Sequence, residues 1–264
     1  MILGLVAALA GMLGYGIGTV LQAAGAARTH GLAVMRQPVY LVGLGFDGAA
    51  WLASLLALQR LPLFAVQALL AGSLCVTVLL ARVFLGTKLR RRDGASIVLV
   101  ALALAAVAGA AGVESSQPPP AWFMPSALVA LAVVLLVTLG LYRPGRSVPM
   151  AAVAGVAFSG SALCARALHT PGGWRQLITD PVAWAVLGFG VIGAVALSRA
   201  LERGAVGPAV AVLWVVEVLL PGTVGVLALG DVVRPGWGIA AGAAIAVAVA
   251  GCAVLATSPA QPER

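Results

Sequence analysis

The chain has 264 residues, of which 62% are hydrophobic and only 9% charged, with a mean hydropathy of +1.08. That leaves too little polar surface to cover a soluble globule, and abundant Ala, Gly, Val and Leu suit helices packed closely in lipid rather than the alternating strands of a membrane barrel. The net charge of +8 falls in short gaps between apolar runs, not along one amphipathic face; this points away from nucleic acid and towards the lipid bilayer as the first partner.

At about 20 residues per crossing, the apolar runs predict about nine transmembrane helices in an all-α, polytopic membrane protein. They lie near residues 2–24, 38–58, 63–84, 95–113, 122–142, 149–168, 182–200, 205–229 and 236–256. The first lacks the basic start of a secretory signal and reads as a retained helix. Cys75, Cys164 and Cys252 fall inside runs, far apart, and read as small core residues rather than as a disulfide or metal set.

Numbering the gaps alternately collects Arg28, Arg36, Arg82, Lys88, Arg90, Arg91, Arg92, Arg143, Arg146, Arg199, Arg203 and Arg264 on one face. The other face holds Arg60, Arg166, Arg175 and Arg234. Cytoplasmic loops carry the excess of basic residues, so the N-terminus is expected outside and the C-terminus in the cytoplasm of a cell membrane. The basic loop from Lys88 to Arg92 is then expected to anchor topology, with binding of anionic lipid as the alternative. The stretch Glu114-Ser-Ser-Gln-Pro-Pro-Pro is a rigid outer loop dividing two halves.

Those halves repeat at a spacing of about 143 residues. Pro38-Val39 faces Pro181-Val182, Leu44-Gly45-Phe46 faces Leu187-Gly188-Phe189, and Ala57-Leu58-x-Arg60 faces Ala200-Leu201-x-Arg203. A shift of one residue brings Gly16 onto Gly160 and Leu85-Gly86 onto Leu229-Gly230. The expected organisation is a four-helix repeat over 1–113, an outer loop and connector helix over 114–148, a second four-helix repeat over 149–257 and a cytoplasmic tail over 258–264. Four crossings plus a connector leave the second repeat inverted, the architecture of secondary transporters, whose sites lie near the midplane.

The eighth run carries one acid, Glu217, about twelve residues in and so close to the bilayer centre. An acid there costs about 2.5–3.5 kcal/mol on insertion scales and is a functional-site candidate by default. Pro221 lacks the N–H that would bond the carbonyl of Glu217, so a helix break is expected at Pro221 and Gly222, with a bare carbonyl beside the carboxyl. Asp47 lies at similar depth in the second run, and the two acids are expected to share one cavity formed by the second and eighth runs. Trp51 follows it by one turn and Trp214 precedes Glu217 by one turn, so each indole shares a face with its acid; this reads first as ordinary packing or an interfacial aromatic, with an organic-cation cage as the alternative. Gln67, Tyr15, Gln22, Ser159 and Ser161 are further polar groups that could line the cavity or serve helix packing. In the last run Gly238-x3-Gly242-x3-Ala246-x3-Ala250 reads as a close-contact face, expected within the chain against the fourth run, its repeat equivalent, with a homodimer contact as the alternative. His30 and His169 fall in loops on opposite faces, and no hydrolase or metal-hydrolase pattern occurs, so neither an enzyme nor a cofactor is expected.

The run Leu55-Leu56-Ala57-Leu58-Gln59-Arg60-Leu61-Pro62-Leu63-Phe64-Ala65-Val66-Gln67, followed by Leu85-Gly86-Thr87-Lys88-Leu89 and Gly94, resembles the drug/metabolite transporter (EamA-like) superfamily. The helix number and the opening Tyr15-Gly16-Ile17-Gly18-Thr19-Val20-Leu21-Gln22 look more like its NIPA-type magnesium transporter branch. Thr87-Lys88 stands where that superfamily carries an acid, and the matching turn of the second half has Asp231. The resemblance implies a transporter without naming its substrate. The expected function is secondary transport of a small cationic or zwitterionic solute, coupled to protons on Glu217 and Asp47. The alternatives are a magnesium or divalent-cation permease and a non-transporting membrane scaffold.

Overall fold

A computed structural model describes residues 2–26, 36–85, 90–112, 119–142, 147–168, 179–202 and 206–256. The basic residue Lys88, most of the outer loop, and both His30 and His169 lie outside the described residues. The described chain is helical, with one isolated antiparallel bridge between Ala111 and Val233. In order the helices are α1 (Ile2–Ala26), α2 (Pro38–Leu58), α3 (Leu63–Ala71), α4 (Ser73–Leu85), α5 (Arg91–Ala110), α6 (Phe123–Tyr142), α7 (Ser147–Ala167), α8 (Pro181–Glu202), α9 (Val206–Ala228) and α10 (Gly238–Ala256).

Eight of the expected runs are long and apolar enough to cross a membrane, consistent with a polytopic membrane protein. One of them, Leu63–Phe84, is made of α3 and α4 with a turn at Gly72 between them. Within α9 the apolar stretch Val212–Ala228 is shorter. Side chains such as Leu136, Val191 and Ile239 are largely exposed, which in water would be costly and in lipid is the natural outer surface.

Helix starts follow local chemistry. Pro38 and Pro181 stand at the first turn of α2 and α8, where a missing N–H costs nothing. Asp180 caps α8 by accepting the Val182 N–H at 2.8 Å, and Asp93 reaches back 2.9 Å to the Arg90 N–H at the start of α5.

The chain forms two compact units. The first comprises Met1–Leu61, Ala68–Ala110 and Trp237–Arg264, the second Pro62–Gln67 and Ala111–Gly236. These units are not the two sequence halves: α10 belongs with the first and the connector α6 with the second.

In the first unit α1 packs along α2 and against α4, and α10 packs on α5. The α1–α2 seam follows glycines spaced seven residues apart, Gly4, Gly11, Gly18 and Gly25, with Gly14 between. A Cβ on Gly14 would stand 2.9 Å from that of Ala50, and one on Gly25 2.8 Å from the Tyr40 nitrogen, so only bare backbone permits this approach. The small-residue contact of α10 is made inside the unit against α5, by a different face from the one expected. Ala241, Ala244, Ala248, Gly251 and Cys252 are buried, whereas Gly238, Gly242, Ala246 and Ala250 are exposed. At the α3–α4 turn the Ala71 carbonyl accepts the Cys252 thiol at 3.5 Å, a weak replacement for the helical bond lost there.

In the second unit α7 is central, packed against α6, α8 and α9. Its core joins Met150, Ala151 and Ala154 of α7 to Ala196 and Ala200 of α8 and Ala209 and Leu213 of α9. Small residues again set the spacing.

Candidate functional site

Glu217 is half-buried on α9, one turn beyond Leu213, a member of the core. Among the described residues its carboxyl makes no hydrogen bond or ion pair. Just before it, α7 comes close: a Cβ on Gly155 would stand 3.0 Å from the Leu213 carbonyl oxygen and 2.8 Å from the Val216 Cβ. The Ser159 hydroxyl donates to the Gly155 carbonyl at 2.7 Å, with the Val216 carbonyl at 3.5 Å. Ser161 donates to the Val186 carbonyl at 2.9 Å. Both serines thus serve helix packing.

The break expected at Pro221 and Gly222 is not an interruption. Helix α9 runs through Pro221 to Ala228, because the proline removes a single bond and the turns on either side are held by packing. The interruption in an apolar span falls instead at Gly72. Pro221 and Gly222 are both buried, and a Cβ on Gly222 would stand 3.1 Å from the Phe64 Cβ. One on Gly225 would stand 3.1 Å from the Leu63 Cβ, so the first turn of α3 runs down α9 in the opposite sense. Carried on by one turn, this register brings Gln67 level with Val218 to Pro221. Gln67 is only 2% exposed, and its side-chain oxygen has no hydrogen-bond partner among the described residues. Trp214 is partly buried and packs against the core of the unit.

Asp47, Trp51 and Tyr15 belong to the first unit and Glu217, Trp214, Gln67, Pro221 and Gly222 to the second. Asp47 lies in the α1–α2 seam, where it accepts a hydrogen bond from the Gln22 amide. A Cβ on Gly18 would collide with its carboxylate, so the absence of a side chain there makes the room it occupies. Trp51 and Tyr15 are partly buried, and their backbone carbonyls accept the hydroxyls of Ser54 and Thr19 at 2.7 and 2.8 Å.

A second polar cluster in the second unit escaped the sequence reading. Arg166, counted there as a loop cation, is inside α7 and 7% exposed; its Nη2 and Nε lie 3.2 and 3.3 Å from Asp231 Oδ1. The other carboxylate oxygen of Asp231 accepts the N–H of Leu63, the first residue of α3. Asp231 is held in place by the end of α9: Gly230 turns the chain at φ +70, and the Asp231 N–H returns to the Gly225 carbonyl at 3.0 Å. Burial pushes the Asp231 carboxyl above its ordinary range, and the Leu63 N–H and then Arg166 pull it partly back. The available signals were an arginine inside an apolar run and an acid ending the next apolar helix but one.

No group of three or more His, Cys, Asp or Glu side chains able to hold a metal ion occurs among the described residues. Comparison with protein-family models, with curated proteins and with solved structures finds no match.

Proposed function

We propose that the protein is a secondary transporter of a small cationic or zwitterionic solute, with Glu217 as the group that binds and releases the coupling proton. The observation that carries this reading is the Glu217 carboxyl, partly buried in an apolar helix with no partner among the described residues. A structural acid in such a place is hydrogen-bonded, because an unsatisfied polar group in lipid costs several kcal/mol. An acid left without a partner is suited to exchange a proton or cation. The Pro221 ring frees the Glu217 carbonyl next to it, Gln67 approaches the same level on α3, and Trp214 flanks it one turn away.

The reading is supported by the resemblance to the drug/metabolite transporter superfamily and by the repeat. Pro38 and Pro181, paired in that repeat, both open helices, and α1 pairs with α2 as α7 does with α8. In this proposal two inverted four-helix repeats, joined by a connector helix, lie in the cell membrane, with the N-terminus outside and the C-terminus in the cytoplasm. Asp47, engaged by Gln22, serves mainly to tie α2 to α1.

The test uses the full chain in liposomes loaded with a pH-sensitive dye. A primary amine, a quaternary ammonium ion, a zwitterionic amino acid and magnesium chloride are added in turn across an imposed pH gradient. An organic solute should dissipate the gradient with wild type and not with Glu217→Gln. Unchanged coupling in Glu217→Gln would remove the proposal, a response to magnesium alone would favour the divalent-cation permease, and silence to every solute would favour a scaffold.

A further inference from the structure

In the second unit α6 and α8 finish side by side at a groove. Its volume is about 290 Å³, and it is lined by Tyr142, Ala194, Val195, Ser198 and Arg199. Tyr142 is the last residue of α6, and Arg199 lies in the last turn of α8. The Arg199 guanidinium is held in place, with Nε donating to the Tyr142 carbonyl at 3.1 Å and Cζ 4.5 Å from the centre of the tyrosine ring. Towards the middle of both helices the outer surface is apolar, with Leu136, Leu139, Leu187 and Val191 exposed. A tyrosine and an arginine at helix ends above an apolar band mark the level of the lipid headgroups.

We propose that this groove binds the anionic headgroup of a membrane phospholipid. Arg199 takes the phosphate, Ser198 lies beside it in the lining, and the acyl chains follow the apolar faces of α6 and α8. The charge balance decides for an anion. Two helix C-termini contribute roughly half a negative charge each. Read from the sequence alone, Arg143 and Arg146 follow the last residue of α6 and Arg203 the last residue of α8, with Glu202 the one acid beside them. A guanidinium fixed in advance by a carbonyl and a ring loses little freedom on meeting a phosphate, and its planar fork matches phosphate oxygens better than a lysine would. The inference depends on the membrane reading of the chain and not on transport.

The test is native mass spectrometry of the delipidated full chain in detergent, titrated with phosphatidylglycerol, phosphatidylcholine or sn-glycerol 3-phosphate. Phosphatidylglycerol should be retained about tenfold more than phosphatidylcholine, and Arg199→Gln should erase that preference, a tenfold change being the scale of one charged contact. Ala194→Trp fills the groove while leaving Arg199 in place. It should lower retention to the same degree, and it decides the matter if Arg199→Gln does not fold. Equal retention of the two lipids, displacement by glycerol 3-phosphate, or undiminished retention by Ala194→Trp would each overturn the site.

Discussion

Arg166 and Asp231 form a buried ion pair, 3.2 Å between Nη2 and Oδ1, and the same aspartate holds the first N–H of α3. Alanine at Asp231 removes the acceptor of both the Arg166 guanidinium and the Leu63 N–H, and a buried donor left unsatisfied costs about 1–3 kcal/mol. Asp231→Ala should therefore lower thermal stability sharply in detergent. Replacing both residues, by Arg166→Met with Asp231→Leu, should recover much of the loss, leaving mainly the Leu63 N–H unsatisfied.

The raised carboxyl of Asp231 has a sign that can be read in solution. The unfolded chain releases this proton first, so the stability it contributes is full below the ordinary aspartate range and is lost as pH rises through the raised folded value. Unfolding midpoints measured from the ordinary aspartate range upwards should fall with rising pH in the wild type. The fall should be shallower in Asp231→Asn, which does not titrate.

Glu217 should be a position where stability and activity oppose one another. Glu217→Leu removes an acid without a partner from an apolar helix and should stabilise the protein by about 1–3 kcal/mol while abolishing coupling. A loss of stability instead would mean that the carboxyl serves the fold.

Glycines in the α1–α2 seam should respond differently from those on the outside of α2. Gly18→Ala would drive a methyl into the Asp47 carboxylate and should cost about 1–3 kcal/mol. At Gly45 and Gly48 a Cβ meets nothing within 4 Å. Alanine there should be neutral or stabilising by about 0.5–1 kcal/mol through helix propensity, and melting of the three variants side by side checks the contrast.

The same contrast tests the last helix and bears on what a sequence can disclose. Gly251→Ala, which meets Val100 of α5, should destabilise, and Gly242→Ala, with open space around it, should not. Spaced glycines and alanines pointed to close packing of α10 on α5. They could not say which face, because small residues occur on every side of this helix and its pattern has no single period. Apolar runs and punctuating prolines located the helices, since length and hydropathy alone decide what can span lipid. The turn at Gly72 was hidden because a single glycine inside an apolar run costs only about 1 kcal/mol and normally passes unbroken. Glu217 was legible as the one acid in its run. The partners of Asp47 and Asp231 were not, because Gln22 and Arg166 reach them only once the helices have packed.

The bond from Leu63 to Asp231 joins residues 168 positions apart, and this imposes an order on biogenesis. At synthesis rates of about 5–20 residues per second, the start of α3 emerges roughly 10 to 30 s before the carboxylate that caps it exists. Until then the Leu63 N–H must be satisfied by water or by the insertion machinery, so the first turn of α3 is among the last parts of the chain to settle. A ribosome stalled short of Asp231 should leave residues near Leu63 open to an aqueous labelling reagent. A stall well beyond it should protect them.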